Sequence, residues 1–202
     1  MLKLKKRISS MININQKFKH LYNVISSEEF LLKKSLGGEI PFFISTFNIE
    51  DLAEIDKAVK GLKNKLETKG VAVLELNLYD ISMEISKREL GEDELYSFEQ
   101  EMSKDEFKEA LQSVLDLKGM LMPEIKKRIE SHNARVYFLT GIAHVFPYIR
   151  SHNILNNLQN IAKEAPTVMF FPGDYTGRSL ELFGKLKDDN YYRAFNIDNY
   201  KL

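Results

Sequence analysis

The chain has 202 residues, 44% of them hydrophobic and 29% charged, enough for one compact unit with a sizeable core. Lysine plus arginine and aspartate plus glutamate both number 29, so net charge points to neither nucleic acid nor membrane as the main partner. Cysteine is absent, which excludes disulfides, thiolate catalysis and thiolate metal sites, and no apolar stretch reaches the roughly 18–20 residues that span a bilayer.

The chain opens basic: Lys3, Lys5, Lys6, Arg7, Lys17 and Lys19 precede the first acid, Glu28. Mixed polar residues follow the cluster at 3–7, unlike a signal peptide, so a soluble intracellular protein is expected. Ile14, Phe18, Leu21, Tyr22 and Ile25 recur at helical steps and predict a helix with one buried face, a basic N-terminal extension over 1–27. Its lysines could attract phosphate, but without aromatic interleaving a solvated helix surface is the commoner reading. Ser26 and Glu29 have capping-box spacing and predict a short helix carrying Phe30, Leu31 and Leu32, ending at Gly37-Gly38.

Residues 40–47, IPFFISTF, predict a strand buried on both faces, as in a parallel sheet. Asn48 is placed to cap a helix, with Glu50 and Asp51 at its positive end. The stripe Leu52, Ile55, Val59, Leu62 and Leu66 follows, and Gly70 ends that helix. A second strand is predicted over 71–79, parallel to the first by the handedness of βαβ units. The turn between them lacks both GxGxxG and GxxxxGK[ST], which argues against a nucleotide site there.

From 84 to 109 ten acids face four basic residues, a solvated helical face by default and otherwise a docking surface for a basic partner. Ser103 and Glu106 form a capping box, with Phe107, Ala110, Leu111, Val114 and Leu115 as the buried stripe. Pro123 suits the first turn of a further helix reaching about His132. Strands are predicted over 134–140 and 167–171, with a helix capped by Ser151 between them on Ile154, Leu155, Leu158 and Ile161. Residues 179–187 fit either a short helix or the first arm of a hairpin. After a polar turn at 187–190, residues 191–197 read as a fifth, edge strand. No linker or repeat divides the chain, so a single domain over 1–202 is expected. Its class is three-layer α/β/α with a mainly parallel sheet of about five strands, Rossmann-like or P-loop-like without the nucleotide fingerprint.

Polar residues concentrate in two blocks beyond the last long strands, 138–159 and 170–195, where an open α/β sheet meets its ligands and partners. Candidate binding or interface residues are Gly141, His144, Arg150 and His152 in the first block. In the second they are Gly173, Asp174, Tyr175, Arg178, Asp188, Asp189, Tyr191, Tyr192 and Arg193. GDYTGRS at 173–179 resembles a phosphate loop only superficially: it is a residue short and carries Arg178 where lysine is needed. His144 and His152 lack a metal-ligand spacing, no GxSxG elbow is present, and no catalytic residue, metal or cofactor is expected. Tyr191, Tyr192 and Arg193 have the composition of interface hot spots, or they pack an edge strand.

The blocks TGIAHVFPYIRSHNILNNLQ and FFPGDYTGRSLELFGKLKDDNYYRAF, together with EEFLLKKSLGGEIPFFISTF, resemble the BrxB family of BREX phage-defence systems. Residues that match its pattern are Gly141, Pro147, Arg150, Ser151, His152, Pro172, Gly173, Tyr175, Gly177, Asp188, Asp189, Tyr191, Tyr192 and Arg193. The resemblance implies a cytoplasmic protein beside a PglZ-like, alkaline-phosphatase-like protein, a BrxC-like ATPase and a DNA methyltransferase, and it brings no catalytic residues with it. A non-catalytic adaptor is therefore expected, its docking face at the strand-end loops and the Tyr-Tyr-Arg segment. The alternatives are a nucleotide- or phosphate-binding enzyme using 173–179, and a subunit that contacts DNA through its basic N-terminus.

Overall fold

Four apolar runs build the centre of the sheet, because runs apolar on both faces are stable only between two layers of helix. The computed structural model describes residues 2–33, 41–188 and 194–201. Strands β1 (Phe42–Phe47), β2 (Val73–Asn77), β3 (Val136–Thr140), β4 (Thr167–Tyr175) and β7 (Phe195–Asn196) form a parallel sheet in the order β2-β3-β4-β1-β7. Two further short strands, β5 (Leu180–Leu182) and β6 (Leu186–Asp188), continue antiparallel from the end of β4. Strands β1 and β2 are parallel, as the βαβ reading requires, but β3 and β4 lie between them.

One face of the sheet offers Phe43, Val73, Val136, Phe138, Val168 and Phe170 to helices α1 (Leu2–Ile25), α2 (Glu28–Leu31) and α3 (Leu52–Thr68). The predicted α3 stripe is buried from Ile55 through Leu66. The α1 face is buried through Leu21, Val24 and Ile25, so from Ile14 onward the basic helix is part of the core. Its seat is polar as well. Lys17 Nζ reaches Asp198 at 2.7 Å and the Thr46 carbonyl at 2.6 Å, and Asp198 accepts from Ser45 Oγ at 2.8 Å.

The opposite face carries Phe42, Ile44, Leu74, Leu76, Leu139, Met169 and Phe171. It is covered by α4 (Leu78–Leu90), α5 (Glu92–Glu101), α6 (Lys104–Val114), α7 (Met122–Glu130), α8 (Ile142–Val145) and α9 (Ser151–Leu158). The three-layer α/β class stands.

Several boundaries move, each for a local reason. The Ser26 amide still bonds the Tyr22 carbonyl at 3.0 Å, so Ser26 completes α1 and Ser27 caps α2 by accepting from Phe30 N. Helix α2 ends at Leu31; the expected stop at Gly37-Gly38 lies outside the described residues. Asn48 precedes a 3-10 turn, Ile49–Asp51, and makes no side-chain cap. The second strand stops at Asn77, whose Oδ1 caps α4 and turns Leu78 and Tyr79 into helix. Arg150, not Ser151, takes the extended N-cap conformation of α9.

The capping box forms as expected, with Glu106 bonded to the Ser103 amide at 2.9 Å. The acidic run is largely a solvated helical face, in part self-compensated by Lys87–Glu92 at 2.6 Å and Lys108–Asp105 at 3.1 Å.

Between α4 and α7, Arg128 binds Glu124 at 3.2 Å and also contacts Glu84, while Arg88 approaches Glu124 at 3.5 Å. Burial raises the Glu124 pKa, but the hydrogen bond and charge of Arg128, then Lys127 and Arg88, outweigh it and hold the carboxyl below its ordinary range. A depressed carboxylate stabilises the fold above its unfolded pKa, and that stability is lost as pH falls through the folded value. The window lies below about pH 4. Arg128→Ala should therefore cost about 1 kcal/mol at pH 7 and flatten the acid limb, measured by urea unfolding at pH 7 and pH 3.

Candidate functional site

The first block begins where β3 ends. Gly141 turns left-handed at φ 75°, and a Cβ there would collide with Asn77 Oδ1 and lie 2.9 Å from the Tyr79 amide. That oxygen is engaged, accepting from Tyr79 N at 3.0 Å and Asp80 N at 3.4 Å. The glycine thus lets the ends of β2 and β3 close side by side. Gly141→Ala should cost about 2–3 kcal/mol, from the left-handed backbone and the displaced cap together. Because the two groups touch, the double variant with Asn77→Ala should lose less than the sum of the singles in urea titrations.

Beyond Gly141, His144 is exposed, and its ring lies 5.6 Å from that of Tyr79, itself 42% exposed. Arg150 is exposed at the start of α9 and His152 is half-buried in the first turn. The intervening loop faces the second block: Phe146 meets Phe183 edge-on at 5.9 Å. The two blocks are therefore neighbours in space. His20 and His132 bond the carbonyls of Ile197 and Arg128, both at 3.0 Å. Among the described residues no group of three or more side chains could hold a metal ion.

The described part of the second block, up to Asp188, is largely strand. Strand β4 runs on past Phe171, and Gly173, Asp174 and Tyr175 pair with Leu182, Glu181 and Leu180. Gly173 is needed for this approach: at φ 149° its missing Cβ would strike the Glu181 carbonyl oxygen and lie 2.9 Å from the Phe183 amide. Tyr175 is buried and donates its hydroxyl to the Ala194 carbonyl at 2.8 Å. The turn that follows spends its own donors. Thr176 Oγ1 accepts from Arg178 N at 3.4 Å and Ser179 N at 3.1 Å, and Thr176 N bonds the Ser179 carbonyl. Amides that a phosphate loop would aim at an anion are thus engaged, while Arg178 and Asp174 remain exposed.

The ambiguous stretch 179–187 is a hairpin with both arms present. Phe183 and Gly184 turn it at φ 60° and 63°, and Leu186 is left 44% exposed. Lys187 and Asp188 belong to β6 rather than to a turn. Asp188 closes that strand, with its side chain outside the description. Asp189, Tyr191, Tyr192 and Arg193 lie outside the described residues. Of the expected edge strand over 191–197, the described residues show Phe195–Asn196 paired with Phe43 and Ile44, and 191–193 lie outside the described residues.

A separate cleft lies under α3, at the carboxyl ends of β1, β3 and β4. Its lining includes Phe47, Leu52, Asp56, Thr140 and His144, and it encloses about 10 Å³. That is on the order of one water molecule. Sequence reasoning missed Asn77, Tyr79 and Asp56. An Asx cap at Asn77 was the available signal, hidden because apolar residues continue through Leu78 and Tyr79.

The geometry defines a three-layer α/β protein in which β4 of the parallel sheet runs on into an antiparallel hairpin where a phosphate loop had been conceivable. None of its described helices is long and apolar enough to cross a membrane. The family model for "BREX protein BrxB" matches residues 74–197. A Bacillus cereus (strain H3081.97) BREX protein BrxB is 34% identical over 93% of this chain and 98% of its own length. An Escherichia coli O9:H4 (strain HS) BREX protein BrxB is 28% identical over 86% of each. The chain belongs to the BrxB family of BREX phage-defence systems. Membership puts it among the other BREX proteins.

Proposed function

We propose that the chain is a non-catalytic adaptor that joins the PglZ-like and BrxC-like proteins of a BREX complex. The observation that carries this reading is the β5–β6 hairpin. Phe183 holds a backbone conformation that bulky residues avoid, and such strain persists only where the surroundings over-determine it. Here Phe146 and the β4 pairing hold the turn, and the outcome is an exposed Leu186 held at the turn end of the hairpin next to the exposed Lys185. A partner that covers Leu186 would gain from its burial. The nucleotide-binding alternative loses support, because the 173–179 amides it needs are partly engaged within the turn.

The test is co-purification with the PglZ-like and BrxC-like proteins, wild type against Leu186→Asp. A complex weakened about tenfold by a variant with unchanged melting supports the adaptor and places one interface. Unchanged binding would remove the hairpin from it. Failure of wild type to bind any BREX protein would sink the adaptor itself.

A further inference from the structure

Strand β1 has the sequence of a segment that pairs readily with copies of itself. Phe42–Phe47, FFISTF, is rich in β-favouring side chains and holds no charge, proline or glycine. Pairing with β4 satisfies one of its edges. Which backbone groups face the other edge follows from the alternation of a strand. Thr167 N bonds the Pro41 carbonyl, so Pro41, Phe43 and Ser45 address β4, while Phe42, Ile44 and Thr46 face outward. On that outer side β7 is in register with Phe43 and Ile44 and stops at Asn196, where the chain turns into the 3-10 helix Ile197–Asn199. Thr46 lies beyond the last described strand.

Both backbone groups of Thr46 are nevertheless engaged, and by side chains. Its N–H donates to Asp198 Oδ2 at 3.1 Å, and its carbonyl accepts from Lys17 Nζ at 2.6 Å. The two side chains pair with each other at 2.7 Å. Together they supply the acceptor and the donor that one more strand would bring. The same contact explains a hydroxyl in an apolar strand: Ser45 is fully buried and donates to Asp198 Oδ1 at 2.8 Å, which fixes the carboxylate against the edge. The segment carrying Asp198 is latched to α1 a second time, because His20, three residues after Lys17, bonds the Ile197 carbonyl at 3.0 Å.

Charge makes this cover more than a plug. The Lys17 and Asp198 side chains keep 22% and 19% of their surface in water, so a strand approaching Thr46 must strip both of solvent and of each other. We propose that Lys17 and Asp198 form a guard on the outer edge of β1, standing in for a strand at Thr46 and keeping β1 of one copy from pairing with β1 of a second copy. The second copy is the matching occupant because the segment complements itself. An antiparallel pair centred on Ile44 sets Phe42 opposite Thr46 of the other copy and brings no like charges together. Strand β7, two residues long, is held by the segment that Lys17 and His20 latch, so loss of the guard frees Ile44 as well. The device is independent of the hairpin and its partner.

The test is light scattering on the full chain at rising concentration, below the melting temperature. Asp198→Ala removes the whole guard. Lys17→Met, which keeps most of the stem and loses only the charge and its donors, is the milder variant should the first fail to fold. Both should self-associate at concentrations about tenfold lower than wild type. Ile125→Ala, a core loss on the opposite face, controls for reduced stability and should associate less than either. Thr46→Pro added to a guard variant should reverse the association although it lowers stability further, because it deletes the outward N–H that a second strand needs. Amide exchange at Ile44 and Thr46 should be fast in a dilute guard variant and slow once it associates. Guard variants that keep the wild-type mass, that associate no more than Ile125→Ala, or that still associate with Thr46→Pro would each overturn the proposal.

Discussion

Gly173→Val is expected to unzip the β4–β5 pairing and to lower global stability by about 2–5 kcal/mol, through backbone strain and backbone collision together. The cause is space as much as dihedral angle. A Cβ at 173 meets the Glu181 carbonyl and the Phe183 amide, atoms of the facing strand that cannot rotate away as a side-chain end could. Gly177 is the internal control. It also has a positive φ, 86°, yet nothing lies within 4 Å of its Cβ position. Gly177→Ala should therefore cost only about 1 kcal/mol, the left-handed backbone alone. Urea unfolding gives both values, and amide exchange at Phe183, bonded to the Pro172 carbonyl at 2.8 Å, reports the hairpin directly. Equal losses at the two glycines would show that the close approach does not matter. With the hairpin displaced, Leu186 no longer sits on a fixed arm, so partner binding should fall with Gly173→Val and survive Gly177→Ala.

The layers of this fold were legible because each rests on a periodicity. The unbroken apolar run at 42–44 could only be a strand covered on both sides, and the α3 stripe from Ile55 to Leu66 could only be one helical face. Strand order was not legible. The side chains of β1 and β2 read the same whichever strand adjoins them, so nothing local says that β3 and β4 intervene. Cap positions slipped by one residue for a related reason. Whether Ser26 or Ser27 caps α2 depends on where α1 stops, and that is set by the tertiary burial of Val24 and Ile25.

The site was legible as a region but not as a shape. Both blocks do meet, at Phe146 and Phe183, yet neither aromatic was singled out, because their contact joins residues 37 positions apart (183 minus 146). GDYTGRS read as a loop because Pro-Gly-Asp is turn chemistry. In the structure Gly173, Asp174 and Tyr175 continue β4 against Leu182, Glu181 and Leu180, and only 176–179 form a turn. The cleft was not legible as a shape: its lining comes from β1, α3, β3, α8 and β4, and only Gly141 and His144 among its residues had been candidate site residues.

The largest effect of a single truncation is expected at Phe138. It is fully buried on β3 and meets Phe170 of β4 edge-on at 5.2 Å, while Phe170 stacks on Phe18 of α1 at 6.1 Å. This chain of three rings runs from the middle of the sheet to the N-terminal helix. Phe138→Ala removes the ring at the sheet end of this chain and leaves a cavity that rigid strands on either side cannot close. The loss should be about 3–5 kcal/mol, against roughly 1–2 kcal/mol for Phe138→Leu, which keeps most of the volume. Urea unfolding measures the totals. Amide exchange decides the mechanism, because the damage should spread along the rings. Protection over 14–25 in α1 should fall by more than protection in α9, which packs on the opposite face. Equal falls in the two helices would mean that α1 is held by its Lys17–Asp198 contact and its packing on α3, with the aromatic chain incidental. A larger fall in α1 would make the basic helix a load carried by the sheet's own core.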